Sequence, residues 1–168
     1  MKPSRLWSVL IAVVLIVAVS ESGARAAGAA PSSASASTGG PIDLRHGWDD
    51  YDHCTVWAEG NVECVTGTSA STARRNQIAL SGCPVSLYRG SGYTGQELTL
   101  YPEGVWLNLS DFGFDNATVS FIGTGCGFHL AENQWGGGWW YPGYTGPWAA
   151  TSNMGSSWNY RVSSVYIN

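Results

Sequence analysis

From residue 41 to residue 168 the chain contains no lysine. That absence removes Schiff-base chemistry, lysine general bases and phosphate-cradling loops that end in Lys. Charge of either sign is scarce, 12% of residues against about 25% in ordinary domains. With a formal net charge of −4 and no cluster of Lys and Arg, the chain lacks the electrostatic footprint that nucleic acid or anionic lipid requires. No apolar run approaches the roughly 20 residues of a membrane-spanning helix. The longest, from Leu6 to Val19, holds 14. C-x-x-C, H-E-x-x-H and G-x-S-x-G are missing as well. The nearest approach to the last, Gly67-Thr68-Ser69-Ala70-Ser71, ends in Ser, and Gly123-Thr124-Gly125-Cys126-Gly127 lacks the spacing of a dinucleotide loop. No acid, base and nucleophile can be assembled from motif spacing, so an enzyme is not expected.

The first residues are informative. Lys2 and Arg5 precede the apolar stretch, and Ala24-Arg25-Ala26 and Ala27-Gly28-Ala29 offer small-residue cleavage points. This is the pattern of a secretory signal peptide over residues 1–29, with export as its consequence and no membrane association after cleavage. Residues 30–40 are Ala, Ser, Gly, Pro and Thr, a linker composition. One folded part remains, residues 41–168, with 5 Arg against 11 acids. Export places Cys54, Cys64, Cys83 and Cys126 in an oxidising compartment, where an even set pairs. Four cysteines allow three connectivities, and position favours Cys54 with Cys64 and Cys83 with Cys126.

Residues 41–82 form an N-terminal extension. Cys54 to Thr66 reads as two short β-branched strands around a Glu59-Gly60-Asn61 turn, and Ser69 to Leu80 is the single helix candidate. After Cys83, short alternating runs such as Val85-Ser86-Leu87-Tyr88 recur between Gly, Pro, Asn and Asp, the all-β signature. This stretch repeats itself as 83–125 and 126–168. Cys83 returns as Cys126, Tyr93-Thr94-Gly95 as Trp135-Gly136-Gly137, and Phe114-Asp115-Asn116 as Trp158-Asn159-Tyr160, at offsets of 43, 42 and 44, with Ser120 opposite Ser164. A unit of this size is one four-stranded Greek key, and two facing units make a sandwich. At 128 residues with two bridges, a monomer is the default.

Tyr88, four residues, Tyr93, one residue and Gly95 match a folded-over hairpin in which the first aromatic packs across the turn and Gly takes a backbone conformation forbidden to other residues. In the second unit the frame is Leu130, Trp135, Gly136 and Gly137. These residues resemble the βγ-crystallin signature. With export, four cysteines and the short extension, the chain resembles most the secreted bacterial branch grouped with metallopeptidase inhibitors. The resemblance implies a βγ-crystallin-like sandwich of two Greek-key motifs behind a small hairpin-plus-helix extension. It also implies calcium at Asp115, Asn116 and Ser120 in the first motif and at Asn159, Ser163 and Ser164 in the second. Both copies depart from the pattern: Val119 replaces a hydroxyl, Tyr160 replaces an amide or acid, and Arg161 brings positive charge. Weak calcium binding, through a composite of Asp115 and Asn116 with Ser163, is the most the motifs predict. The simpler expectation is that these side chains satisfy loop backbone and that no cofactor is held.

Two further groups stand out. Trp139, Trp140, Tyr141, Tyr144 and Trp148 crowd a run rich in Gly and Pro, whereas the corresponding stretch of the first unit, Gly95 to Leu107, has only Tyr101 and Trp106. Such a run cannot lay every ring on one buried face, so some should be exposed for a partner; packing on the Cys54 to Leu80 extension is the alternative. His46, Asp49, Asp50, Asp52 and His53 gather within Arg45 to His53, with neither helix nor strand expected to fix them, and read as a solvated loop. His129 stands alone in a strand. The expected function is a secreted, non-enzymatic binding protein. First comes an extracellular peptidase inhibitor presenting Arg89 to Thr94 or Gly137 to Trp148 from a disulfide-braced scaffold. A polysaccharide or cell-wall binding module using the aromatic run, and a calcium-binding structural protein, are the alternatives.

Overall fold

A computed structural model describes residues 42–67 and 82–168. The signal peptide, the linker and the helix expected over 69–80 lie outside the described residues. Alternating apolar side chains make strands here. They are β1 (His53–Val56), β2 (Val62–Val65), β3 (Val85–Gly90), β4 (Thr94–Leu100), β5 (Trp106–Asn108), β6 (Ser120–Gly123), β7 (Phe128–Ala131), β8 (Ala150–Thr151) and β9 (Ser164–Ile167).

Two sheets form, in the orders β2-β1-β4-β3-β6-β8 and β5-β9-β7. Each repeat lends a strand to the other's sheet: β5 leaves the first repeat to pair with β9, and β8 leaves the second to pair with β6. The halves are therefore interlocked. Leu87, Leu98 and Phe121 meet Phe128, Leu130, Val165 and Ile167 in one core, each 0–1% exposed. The fold is an all-β sandwich of two sheets, each holding strands from both repeats.

The extension is more integrated than a preceding hairpin. Cys54 pairs with Cys64 across β1 and β2 and is bonded to it, with Cα atoms 4.1 Å apart. β1 also runs parallel to β4, His53 opposite Glu97 and Val56 opposite Leu100. Covering the edge of β4 removes an exposed template for strand addition. Cys83 and Cys126 form the second bridge, Cα atoms 5.3 Å apart, and tie together the starts of the two repeats.

The supposed solvated loop at Arg45 to His53 is corrected in part. Leu44 and Trp48 are buried at 2% and 4%, although Arg45, His46, Asp49 and Asp50 face water. The indole of Trp48 lies 5.3 Å from the Phe114 ring and donates to the Phe112 carbonyl at 2.8 Å. Gly113 admits this arm, since a Cβ there would collide with the Leu44 carbonyl. His53 is 1% exposed, its Nδ1 3.2 Å from Glu97 Oε2. The Tyr88 hydroxyl donates to Glu97 Oε1 at 2.9 Å, so a buried carboxylate has the partners its burial demands.

Candidate functional site

The aromatic run is positioned by the second hairpin, and the first hairpin shows how. Ser120 Oγ donates to the Gly90 carbonyl at 2.6 Å and accepts from the Tyr93 N–H at 3.2 Å. Ser164 Oγ donates to the Asn133 carbonyl at 2.6 Å and accepts from the Gly136 N–H at 3.0 Å. These clips align Tyr93 with Gly136 and Gly92 with Trp135, one residue away from the frame expected from aromatic spacing. Tyr88 is matched by Ala131, whose carbonyl, like that of Tyr88, accepts from the strand behind it. Gly136 replaces the Tyr93 ring because the space is taken: a Cβ at Gly136 would strike the indole of Trp106.

The alignment puts a tryptophan where the first repeat has glycine, twice. Gly92 and Trp135 have φ of 67° and 56°. Gly104 and Trp148, each just before a lent strand, have φ of 72° and 61°. Left-handed backbone costs a non-glycine residue roughly 1–2 kcal/mol. Trp135 and Trp148 bear that cost with 69% and 74% of their surface exposed, so core packing does not repay it. Backbone strain of this kind clusters at functional sites, which makes both residues candidates.

Among the other candidates, Trp139, Trp140 and Tyr144 are 75%, 50% and 69% exposed. The described part of the extension, β1 and β2, sits at the opposite edge of its sheet from β8 and does not cover them. Tyr141 is the exception. Its ring meets Phe121 and Trp158 edge-on at 5.6 and 5.4 Å, and its N–H bonds to the Leu130 carbonyl at 2.9 Å. Its ring faces the core, and the chain beside it makes one isolated bridge, Ala131 to Trp140. The ring of Trp140 packs 4.8 Å from His129 and 5.6 Å from Trp106, its Nε1–H donating to the Gly136 carbonyl at 2.8 Å. His129 is thus a packing partner of a candidate residue.

Glu132 holds Trp139 by both backbone groups. Its N–H donates to the Trp139 carbonyl at 2.9 Å and its Oε2 accepts from the Trp139 N–H at 3.3 Å. Its Oε1 accepts from Arg161 Nε and an Nη at 2.9 and 2.6 Å. The guanidinium, then the Trp139 N–H, holds this carboxyl below the ordinary carboxylate range. Sequence reasoning gave Glu132 no part in the site. The pair joins residues far apart in the chain, and no local spacing signals it.

Arg89 is corrected as a presented residue. It donates to the Gly113 carbonyl at 2.7 Å with its guanidinium 4.8 Å from the Phe114 ring centre, and burial pulls its pKa down. The loop from Arg89 to Thr94 therefore offers no free arginine hook.

The calcium residues divide. Ser120 and Ser164 are fully buried and committed to the clips. Asp115 and Asn116 are exposed side by side, and Ser163 Oγ lies 3.5 Å from Asn116 Oδ1. These are oxygen ligands of the type calcium takes, three of the roughly six to eight it needs. Around Asn159 the oxygen set is short: Asn159 Oδ1 is buried without a partner, but Val119 supplies no hydroxyl, and Arg161 is turned to Glu132. Cys83, Glu103 and Cys126 also converge, but both sulfurs are spent in the disulfide and no thiolate is left to ligate.

No family model matches the chain, and no curated protein matches it. Solved structures do. A βγ-crystallin domain from Clostridium beijerinckii is 24% identical over 49% of this chain and 94% of its own, with a TM-score of 0.40. A βγ-crystallin domain from Flavobacterium johnsoniae is 20% identical over 50% and 92%, TM-score 0.40. A beta gamma crystallin from Ciona intestinalis is 21% identical over 51% and 99%, TM-score 0.37.

Proposed function

We propose that the protein is an exported, non-enzymatic binding module whose partner is a neutral extracellular polysaccharide, held by the rings of Trp135, Trp139, Trp140, Tyr144 and Trp148. One observation carries this reading: Trp135 and Trp148 stand exposed at left-handed positions that the first repeat fills with glycine. Exposed rings stack on the C–H faces of sugars, and a rigid loop loses little entropy in doing so. The Tyr144 hydroxyl donates to the Pro147 carbonyl at 3.2 Å, and the Trp148 N–H to the Thr124 carbonyl at 2.8 Å, which fixes the C-terminal end of the loop. Two disulfides suit an oxidising setting, and among the described residues no helix is long and apolar enough to cross a membrane.

The test is retention of the oxidised protein on chitin, cellulose and peptidoglycan. Retention on one of them, lost on replacing both Trp139 and Trp148 with Ala, is expected. No retention on any of the three would sink the reading. A second reading, inhibition of an extracellular peptidase, draws on the same loop, because the Cys83 to Cys126 bridge stands beside it: a Cβ at Gly125, next to Cys126, would lie 3.8 Å from the Trp148 ring. It predicts stoichiometric loss of peptidase activity that disappears on reduction. Calcium enters as a weak ligand of Asp115, Asn116 and Ser163, supplying stability to the loops and no chemistry.

A further inference from the structure

The two repeats contain related sites, and the chain fills one of them itself. In each repeat an arginine donates to the carbonyl just before an aromatic residue and lies over that residue's ring. Arg89 donates to the Gly113 carbonyl at 2.7 Å, its guanidinium 4.8 Å from Phe114. Arg161 donates to the Ser157 carbonyl at 3.2 Å, 5.7 Å from Trp158. The N-terminal arm covers the first of these. Trp48 lies 5.3 Å from Phe114 and 5.8 Å from the Arg89 guanidinium. The Gln96 amide donates to the Tyr51 carbonyl at 2.9 Å, and the Glu97 N–H to the Asp52 carbonyl at 2.9 Å. By the hairpin alignment, Gln96 and Glu97 correspond to Trp139 and Trp140. In the second repeat, among the described residues, no arm lies there. A cavity of about 280 Å³ is lined instead by Trp139, Trp140, Pro142, Trp158 and Arg161.

We propose that this cavity is a subsite for one ring of a neutral sugar, a refinement that rests on the polysaccharide reading above. The volume lies at the small end of ligand pockets, which start at about 300 Å³, and suits a single ring better than a branched ligand. Charge complementarity selects the ligand. Arg161 lines the cavity and is already neutralised by Glu132, which is not among the lining residues, so the polar wall is a guanidinium whose charge is compensated. A sugar hydroxyl can accept from a compensated guanidinium without disturbing its ion pair; a carboxylate or sulfate would have to displace Glu132 first. Trp139, Trp140, Trp158 and Pro142 supply the other walls, and a sugar ring presents C–H groups to such apolar walls while its hydroxyls meet Arg161. Arg161 occupies the position that disables the second calcium motif, and here it gains a different role. Glu132 is a positioning residue: it orients Arg161 and fixes the backbone of Trp139.

The experiment is titration of the oxidised full chain, followed by Trp fluorescence. The probes are β-1,4-linked hexaoses of glucose, N-acetylglucosamine and xylose, with polygalacturonate and a synthetic peptide of residues 42–52 as contrasts. One neutral hexaose is expected to saturate. Arg161→Gln and Glu132→Gln should each weaken it about tenfold, with thermal midpoints close to that of the parent. If either variant fails to fold, Trp139→Ala, which removes an exposed wall, carries the test in its place. Undiminished affinity for the hexaose in these variants, with retention on insoluble polysaccharide intact, overturns the subsite and leaves the loop reading standing. Tighter binding of polygalacturonate or of the peptide than of every neutral hexaose overturns the occupant. Failure of every hexaose to quench, in a protein that also fails to be retained on any polysaccharide, overturns both.

Discussion

The two repeats share a scaffold and differ in what they cover. Both have a serine clip, a positive-φ residue at Asn116 or Tyr160, an aromatic under an arginine, and a strand lent to the other sheet. What recurs in both can be assigned to folding. What occurs in one repeat alone needs another reason. The first repeat has β4, a full seven-residue strand, and an arm that seals its flank with Trp48. The second has a single bridge in place of that strand, glycine and proline around it, and six rings at least half exposed, five of them between Trp135 and Trp148. The second half has therefore given up sheet pairing for a loop that displays aromatics, and the first half shows that the fold does not require the trade.

The comparison breaks most easily at the arm. Trp48→Ala removes a 4%-exposed indole from Phe114 and Arg89 and orphans the Phe112 carbonyl. A loss of about 3–5 kcal/mol is expected in urea unfolding, as for other buried aromatic truncations. Trp139→Ala in the second repeat, at the position corresponding to Gln96, should cost under about 0.5 kcal/mol. Equal losses at the two positions would mean that the second flank is as sealed as the first.

The glycine positions sharpen the contrast further. Trp148→Gly relieves left-handed backbone and should raise stability by about 1 kcal/mol while weakening retention on polysaccharide. The reciprocal change, Gly104→Trp at φ of 72°, should lower stability by a similar amount and gain no binding. Stabilisation without loss of retention would remove Trp148 from the site.

How much of this was legible in the sequence depends on the range of the interaction. The β1 and β2 hairpin, both disulfides and the all-β alternation follow from neighbours a few residues apart or from cysteine parity, and they are present. Exposure of Trp139, Trp140, Tyr144 and Trp148 followed from composition, because glycine and proline prevent a continuous strand from burying them. Tyr141 did not, because a one-bridge strand remnant leaves too little alternation to read. The parallel pairing of β1 with β4 and the docking of Trp48 are contacts across the chain without a local period. The second hairpin's frame was missed by one residue, because aromatic spacing suggested Trp135 while the Ser164 clip selects Gly136.

Calcium gives a smaller test. A site built from Asp115, Asn116 and Ser163 alone, with an affinity near the millimolar range of extracellular modules, should add about 0.6 kcal/mol at 2 mM free Ca²⁺ by linkage. Thermal unfolding with EDTA and with Ca²⁺ measures it, and Asp115→Ala should abolish it. Asn159→Ala should leave the calcium increment unchanged, because the second loop has turned its arginine to Glu132. A calcium increment lost in Asn159→Ala would show that the two loops still serve calcium alike.

The smallest effect is the pH dependence of the cavity wall. Glu132 titrates below the ordinary carboxylate value of about 4.3, because Arg161 and the Trp139 N–H bond to its charged form. A depressed value in the folded state means that the pair's contribution is complete above the unfolded value and is lost as pH falls through the folded one. Sugar binding should therefore be flat from neutrality down to about pH 5 and decline below about pH 4. In Glu132→Gln the weaker residual binding should show no such acid limb. The first repeat supplies the control, because among the described residues no carboxylate pairs with its arginine: Arg89 bonds to the Gly113 carbonyl and stands over Phe114, and neither partner titrates. An acid limb of the same shape in Glu132→Gln would move the titrating group elsewhere and detach the ion pair from the binding of sugar.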